Sequence, residues 1–367
     1  MPFEDVIIRR VRRNGTVDVL GYWRPDAHVL EIERAGFPLA DAGIHPVEGD
    51  LPWVFDEIAP DGFLASRFAG WYPALGLPPV RSAWSAGQVL AAISRRGHDL
   101  AGNLIVGEES YQRYLEIFTP PRQPGPDREE AVRHYPTFVD QVLSEQVGSS
   151  VGGSRPKFAL RLRDGQGLIV KFTPPLESEA GRRWADLLRM EAHAAAILSG
   201  AGIAAVDARY LEQGGRGFLE IDRFDRTAGG RIGHVTLFYL GLGRYGEATG
   251  PASVIGRLVS DAVIDAGEAV RFARIHAFSA AIGNSDTHLG NYGLLIGDDG
   301  RTTLAPAYDV VPMAFAPRHD ELPDRLVQHN PEPDPETRKL VEAMIVAVEG
   351  DDGIGADFKE KWLATVR

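Results

Sequence analysis

Gly283–Asn291 reads GNSDTHLGN, and Ala307–Pro312 reads AYDVVP. The first segment sets Asp286 five residues before Asn291. On one loop, a carboxylate and a carboxamide can be held over a single metal–phosphate centre. The carboxylate accepts a hydroxyl proton, and the carboxamide oxygen is a hard ligand of the kind Mg²⁺ prefers. Asp, Asn, Ser and Gly also suit an ordinary surface turn, so this loop alone decides little. Between the segments, Tyr292–Ile296 and Arg301–Leu304 flank the turn GDDG, a hairpin signature. Such a hairpin would bring Asp309 back beside Asp286. Asp309 could equally cap a helix beginning at Val310.

Working upstream, Glu268–Ile282 carries Phe272, Ile275 and Ile282 at helical spacing and stops at Gly283-Asn284. FLEIDRFDR (218–226) follows a second pair of apolar runs, Ala204–Leu211 and Gly217–Ile221, around EQGGRG. A strand leaving one lobe for another can present backbone to a purine, which singles out Asp222, Arg223 and Phe224; Arg223 and Asp225 also suit a plain ion pair. Residues 176–200 predict a long helix ending at Gly200 and Gly202. Before it, KFALRL (157–162) and LIVKF (168–172) flank RDGQG as a hairpin. Lys171 ends an apolar run, where a charge is costly without a partner. It is the best phosphate-binding lysine, and Glu191 on the next helix is placed to pair with it. Just before the hairpin, Gly152, Gly153, Ser154, Arg155, Pro156 and Lys157 offer a glycine-led turn whose amides can approach phosphate oxygens.

The remaining sequence sets bounds. At 367 residues the chain exceeds a single core. No run of ~18 apolar residues predicts a spanning helix. MPFEDVIIRRVRRNG lacks the apolar stretch of a secretory signal. There is no cysteine, which excludes disulfides and thiolate chemistry and suits a cytoplasmic protein. The net charge of −12 disfavours general nucleic-acid binding. Only Arg9, Arg10, Arg12 and Arg13 form a local basic run, read as a solvated edge or, alternatively, a DNA contact. In residues 1–110 the large side chains Trp53, Phe55, Phe63, Phe68 and Trp71 predict helices, and Ser85 predicts an N-cap. The Pro-rich TPPRQPGPDR (119–128) reads as a linker. The expected division is 1–118, 129–224 and 225–367.

The order of catalytic-loop Asp, Asn, hairpin and second Asp is also the layout of protein kinases, as is a strand lysine paired with a helix glutamate. Taken together, SSVGGSRPKFAL, LIVKF, RFDR, GNSDTHLGN and AYDVVP resemble the HipA family of bacterial toxin kinases over residues 147–315. LPWVFDEIAPDGFLASRFA and DLAGNLIVG resemble its N-terminal part more weakly. The resemblance implies an α+β, two-lobed protein-kinase-like fold with an N-terminal subdomain, a β-rich nucleotide lobe and a mostly helical C-terminal lobe. It implies an ATP- and Mg²⁺-dependent serine/threonine kinase, with a translation component such as an aminoacyl-tRNA synthetase as target. Asp286 would be the catalytic base, Asn291 and Asp309 the metal ligands, Lys171 the phosphate anchor and Gly152–Lys157 the nucleotide loop. Ser149 or Ser150 matches an autophosphorylation position in such kinases, and a helix-turn-helix antitoxin would supply most DNA contact. A nucleotide-binding but inert co-repressor is the alternative. Past about residue 320 no family motif matches, which leaves open which helices complete the second lobe.

Overall fold

A computed structural model describes residues 5–34, 41–118, 125–144, 156–246, 250–318 and 333–367. The N-terminus, where no strand was expected, folds as β1 (Val6–Val11), β2 (Val17–Arg24), β3 (Val29–Ile32) and β4 (Gly43–Pro46). Helices α1 (Trp53–Ile58), α2 (Gly62–Trp71) and α3 (Ala86–Arg96) follow, then β5 (Leu104–Val106) and α4 (Glu108–Phe118). Strand order is β4-β3-β2-β1-β5, antiparallel throughout. Between Ile8 and Arg9 the pairing passes from Gly21 to Val19, so Leu20 is the extra residue of a bulge in β2 that breaks the simple alternation of that strand. Ser85 caps α3 in a reciprocal box with Gln88. The arginine run is not a free basic patch. Arg9 bonds Glu108, while Arg10, only 2% exposed, and Arg12 share Asp18.

After α5 (Arg128–Ser144) come β6 (Lys157–Arg161), β7 (Gly167–Phe172), α6 (Glu179–Gly200), β8 (Ala208–Gln213) and β9 (Arg216–Asp222). These four strands order as β6-β7-β9-β8, so β7 is interior and its residues alternate between two covered faces. Val170 and Phe172 pack with Tyr135 and Val139 of α5. Lys171 points to the opposite face, where α6 lies.

The last part holds β10 (Gly233–Thr236), α7 (Leu237–Tyr245), α8 (Pro251–Ser260), α9 (Ala266–Ala281), β11 (Gly293–Ile296), β12 (Thr302–Leu304), α10 (Pro335–Gly350) and α11 (Ala356–Val366). Strands β10, β11 and β12 form a small sheet in that order. The largest core joins α7 to α11 with Leu187, Met190, Ala194 and Leu198 of α6. On its other face α6 gives Leu188 and Ala195 to a cluster with Leu219 and Ile221 of β9. One helix therefore touches both lobes. The C-terminal helices without a sequence motif complete this core through Leu340, Met344, Phe358 and Trp362. No helix among the described residues is long and apolar enough to cross a membrane.

Candidate active site

A cleft of about 450 Å³ lies between the lobes, lined by Lys157, Lys171, Glu191, Asp286, Asn291 and Asp309. All six belong to segments that the sequence singles out: the Gly152–Lys157 turn, the β7 strand, α6, the 283–291 loop and the segment after β12. Lys171 Nζ donates to both Glu191 oxygens, at 2.6 and 2.9 Å, and also to Asp309 Oδ1. Burial opposes the lysine's charge, but Asp309 and Glu191 outweigh it and raise its pKa above the ordinary value. Burial also opposes ionisation of Asp309, yet the Lys171 ammonium holds its carboxyl down at about 2. Burial pushes Glu191 the other way, upward. Two carboxylates thus share the Lys171 ammonium. The Asp309 side chain is 36% exposed to the cleft, against 3% for Glu191.

Asp309 does not cap a helix. Its φ of 55° is left-handed, a conformation that a non-glycine residue rarely holds without support. That support comes from Asn284, which is buried and which the sequence reading took only as a helix stop. Asn284 Nδ2 donates to the Asp309 carbonyl (3.1 Å) and Ser279 Oγ (2.9 Å), while its Oδ1 accepts from the Asp286 amide (3.1 Å). One carboxamide therefore clips the loop to the returning segment. Tyr308 adds a second clip, donating its hydroxyl to the Gly290 carbonyl at 2.9 Å. Both residues sit inside the quoted segments; their roles depend on contacts that spacing does not encode.

Asn291 Nδ2 donates to the Asp286 carbonyl at 2.6 Å, which orients the rest of the amide. Asp286 is more than half exposed. His288 Nε2 stands 3.9 Å from Asp286 Oδ1, beyond hydrogen-bond reach, and its Nδ1 accepts from the Gly290 amide. The α2 N-terminus also reaches this cleft, through Asp61 and Gly62, which no sequence signal marked.

Other candidate residues lie elsewhere. Asp222 pairs with Arg128 at 3.0 Å, and its amide donates to the Asp207 carbonyl. The Arg223 side chain is drawn to Asp225 and Asp99, in keeping with the plain ion pair. Phe224 packs on Tyr308, with ring centroids 5.6 Å apart. Pro156 accepts from the Phe172 amide. Ser149, Ser150, Gly152, Gly153, Ser154 and Arg155 lie outside the described residues. A larger cavity of about 850 Å³, between the N-terminal sheet and α7, gathers no comparable set of groups on one cation.

Among the described residues no three His, Cys, Asp or Glu side chains cluster as a metal site. Asp309 and the Asn291 carboxamide would supply two oxygens, which suits Mg²⁺, an ion that keeps several waters and takes few protein ligands.

Comparison with known proteins places this arrangement. A family model described as HipA-like C-terminal domain matches residues 149–350, and one described as YjjJ-like toxin, middle domain matches residues 3–115. Toxin YjjJ of Escherichia coli K12 is 30% identical over 320 residues, covering 82% of this chain and 71% of that protein. Among solved structures, HipA from the Shewanella oneidensis MR-1 toxin–antitoxin complex of HipA, HipB and operator DNA superposes with a TM-score of 0.59. It is 17% identical, with 97% of this chain and 96% of that one covered, so the likeness is one of fold: two-lobed, kinase-like and α+β. The match in sequence over more than half of the chain, shared with a toxin along most of both lengths, makes this protein a member of the HipA-like toxin family.

Proposed function

We propose that the chain is an ATP- and Mg²⁺-dependent protein serine/threonine kinase with its chemistry in the interlobe cleft. The observation that carries this reading is the buried Lys171, held by Glu191 and Asp309 in a cleft shared with Asp286 and Asn291. Lys171, fixed by Glu191, offers a positioned cation to phosphate oxygens. Asp309 and Asn291 would hold Mg²⁺, which when bound neutralises phosphate charge as a Lewis acid. Asp286 orients the acceptor hydroxyl and takes its proton as the new O–P bond forms and the bond to the ADP oxygen breaks. The units 1–118, 129–224 and 225–367 would be the N-terminal subdomain, nucleotide lobe and catalytic lobe.

Four finer readings go with it. Gly152–Lys157 would cover the nucleotide phosphates. Phosphate on Ser149 or Ser150 would add about −2 charge beside that loop, a physical reason for self-inhibition. The acceptor would be a protein of the translation machinery, and a helix-turn-helix antitoxin would be the binding partner. Support for a partner is the fold likeness to a HipA solved with HipB and operator DNA. Quantitative phosphoproteomics after controlled expression, wild type against Asp309→Ala, tests the reading and names the acceptor. Serine or threonine sites that rise only with wild type support it; identical phosphoproteomes sink it.

A further inference from the structure

Away from the cleft, three largely buried arginines and two carboxylates join the N-terminal region to the segment after β9. Asp99, at the end of the turn after α3, faces three guanidiniums: Arg226 at 2.8 Å, Arg223 at 3.6 Å and Arg231 at 3.7 Å. Asp225 adds a second carboxylate, 2.9 Å from Arg223 and 2.8 Å from Arg226. It is already saturated, accepting also from the Gly102 amide at 2.8 Å. Nearby histidines add no negative charge: burial lowers the pKa of His98 and brings His234 down to about 4, so both are neutral at pH 7. Three cations, each 8% exposed or less, therefore face two anions, of which Asp225 is buried and Asp99 is open to solvent. Arg161, at the edge of the same hollow, carries the same sign.

The imbalance falls on Arg231, whose side chain is 2% exposed. Its Nη2 donates to the His98 carbonyl at 2.5 Å, while its Nη1 is buried and has no hydrogen-bond partner among the described residues. The rings of Tyr114 and Phe118 lie 4.9 and 5.2 Å from the guanidinium and compensate its charge only weakly. Burial, then the neighbouring Arg226, bring its pKa down to about 9, the mark of a cation short of counter-charge. Beside it is a hollow of about 30 Å³, lined in part by Tyr114, Phe118, Gly167 and Thr227. A single water requires roughly 10–15 Å³ of such space, so the hollow suits a monatomic ion and is too small for a nucleotide or a phosphate with its oxygens. A water would satisfy the N–H but leave the charge uncompensated.

We propose that this hollow is a halide site, in which chloride accepts from Arg231 Nη1 and completes the charge balance that locks the N-terminal region onto the interlobe segment. The test uses the full chain, with thermal unfolding followed as chloride replaces gluconate at constant ionic strength. Wild type should show a saturable rise of ~2 °C or more, and Arg231→Met should show none. A bromide-soaked wild-type crystal should give an anomalous peak at hydrogen-bond distance from Arg231 Nη1, a readout independent of whether the variant folds. An equal rise in Arg231→Met, an equal rise with phosphate, or no bromide peak at the site would each overturn the proposal.

Discussion

Lys171 shows how a single side chain ties the site to stability. It lies between Glu191 and Asp309, and both carboxylates are held close to it. Lys171→Met should abolish phosphate transfer and also destabilise the fold by about 3–5 kcal/mol, because a buried carboxylate is left unpaired. Urea unfolding measures the second effect separately from the first. Asn284→Ala should act differently, since it removes the clip between loop and Asp309 but no charge. Its expected cost is about 1–3 kcal/mol in unfolding, with kcat lowered ~10–100-fold and KM for ATP changed far less. Steady-state kinetics separate these. Lys171 and Glu191 were legible because a lysine ending an apolar strand demands a partner and a helix of the right register follows. Asn284 and Tyr308 were not, because their hydrogen bonds cross from one segment to another. Arg223 could be read two ways; its side chain makes the ion pair with Asp225, two residues on, and a longer one with Asp99, far away in sequence.

At the scale of elements, hairpins and amphipathic helices were the readable parts. β6–β7 and β11–β12 each announce themselves by a turn between apolar runs, and α6 by its spacing. The first sheet was hidden because β2 has a bulge and β1 buries Arg10 against Asp18 of that strand. Helix α1 carries a further unexpected feature. Glu57 is partly buried and accepts from the Thr236 amide at 3.0 Å and the Thr236 hydroxyl at 2.7 Å. Burial pushes its pKa up to about 7 despite those bonds. A carboxyl raised on folding favours its protonated form, so its contribution is full below about 4.5 and is lost as pH rises through about 7. Glu57→Gln mimics the protonated state. It should gain stability over wild type across that window, by up to ~3 kcal/mol at its top, in melting curves recorded against pH.

For the whole molecule, the N-terminal region is fastened to both lobes. Trp53 packs against the N-terminal core and the large C-terminal core alike. Arg67 of α2 donates to the Val142 carbonyl of α5 at 2.9 Å. On the facing helix, a Cβ at Gly243 would stand 2.3 Å from the Trp53 ring. Gly243→Ala should therefore overpack this junction and cost about 1–3 kcal/mol, read as a lowered urea midpoint. Such contacts between distant segments are what sequence spacing conveys least, although the order of lobes along the chain was plain from its motifs. The central claim, phosphate transfer by the groups around Lys171, is tested most directly by incubating purified protein with γ-labelled ATP and Mg²⁺, alone and with a cell lysate. Label should appear on protein hydroxyls with wild type and fall at least ~100-fold in Asp286→Ala and Asp309→Ala, with chelation of Mg²⁺ abolishing it. Transfer that is absent from wild type, or unchanged in both variants, would contradict the account.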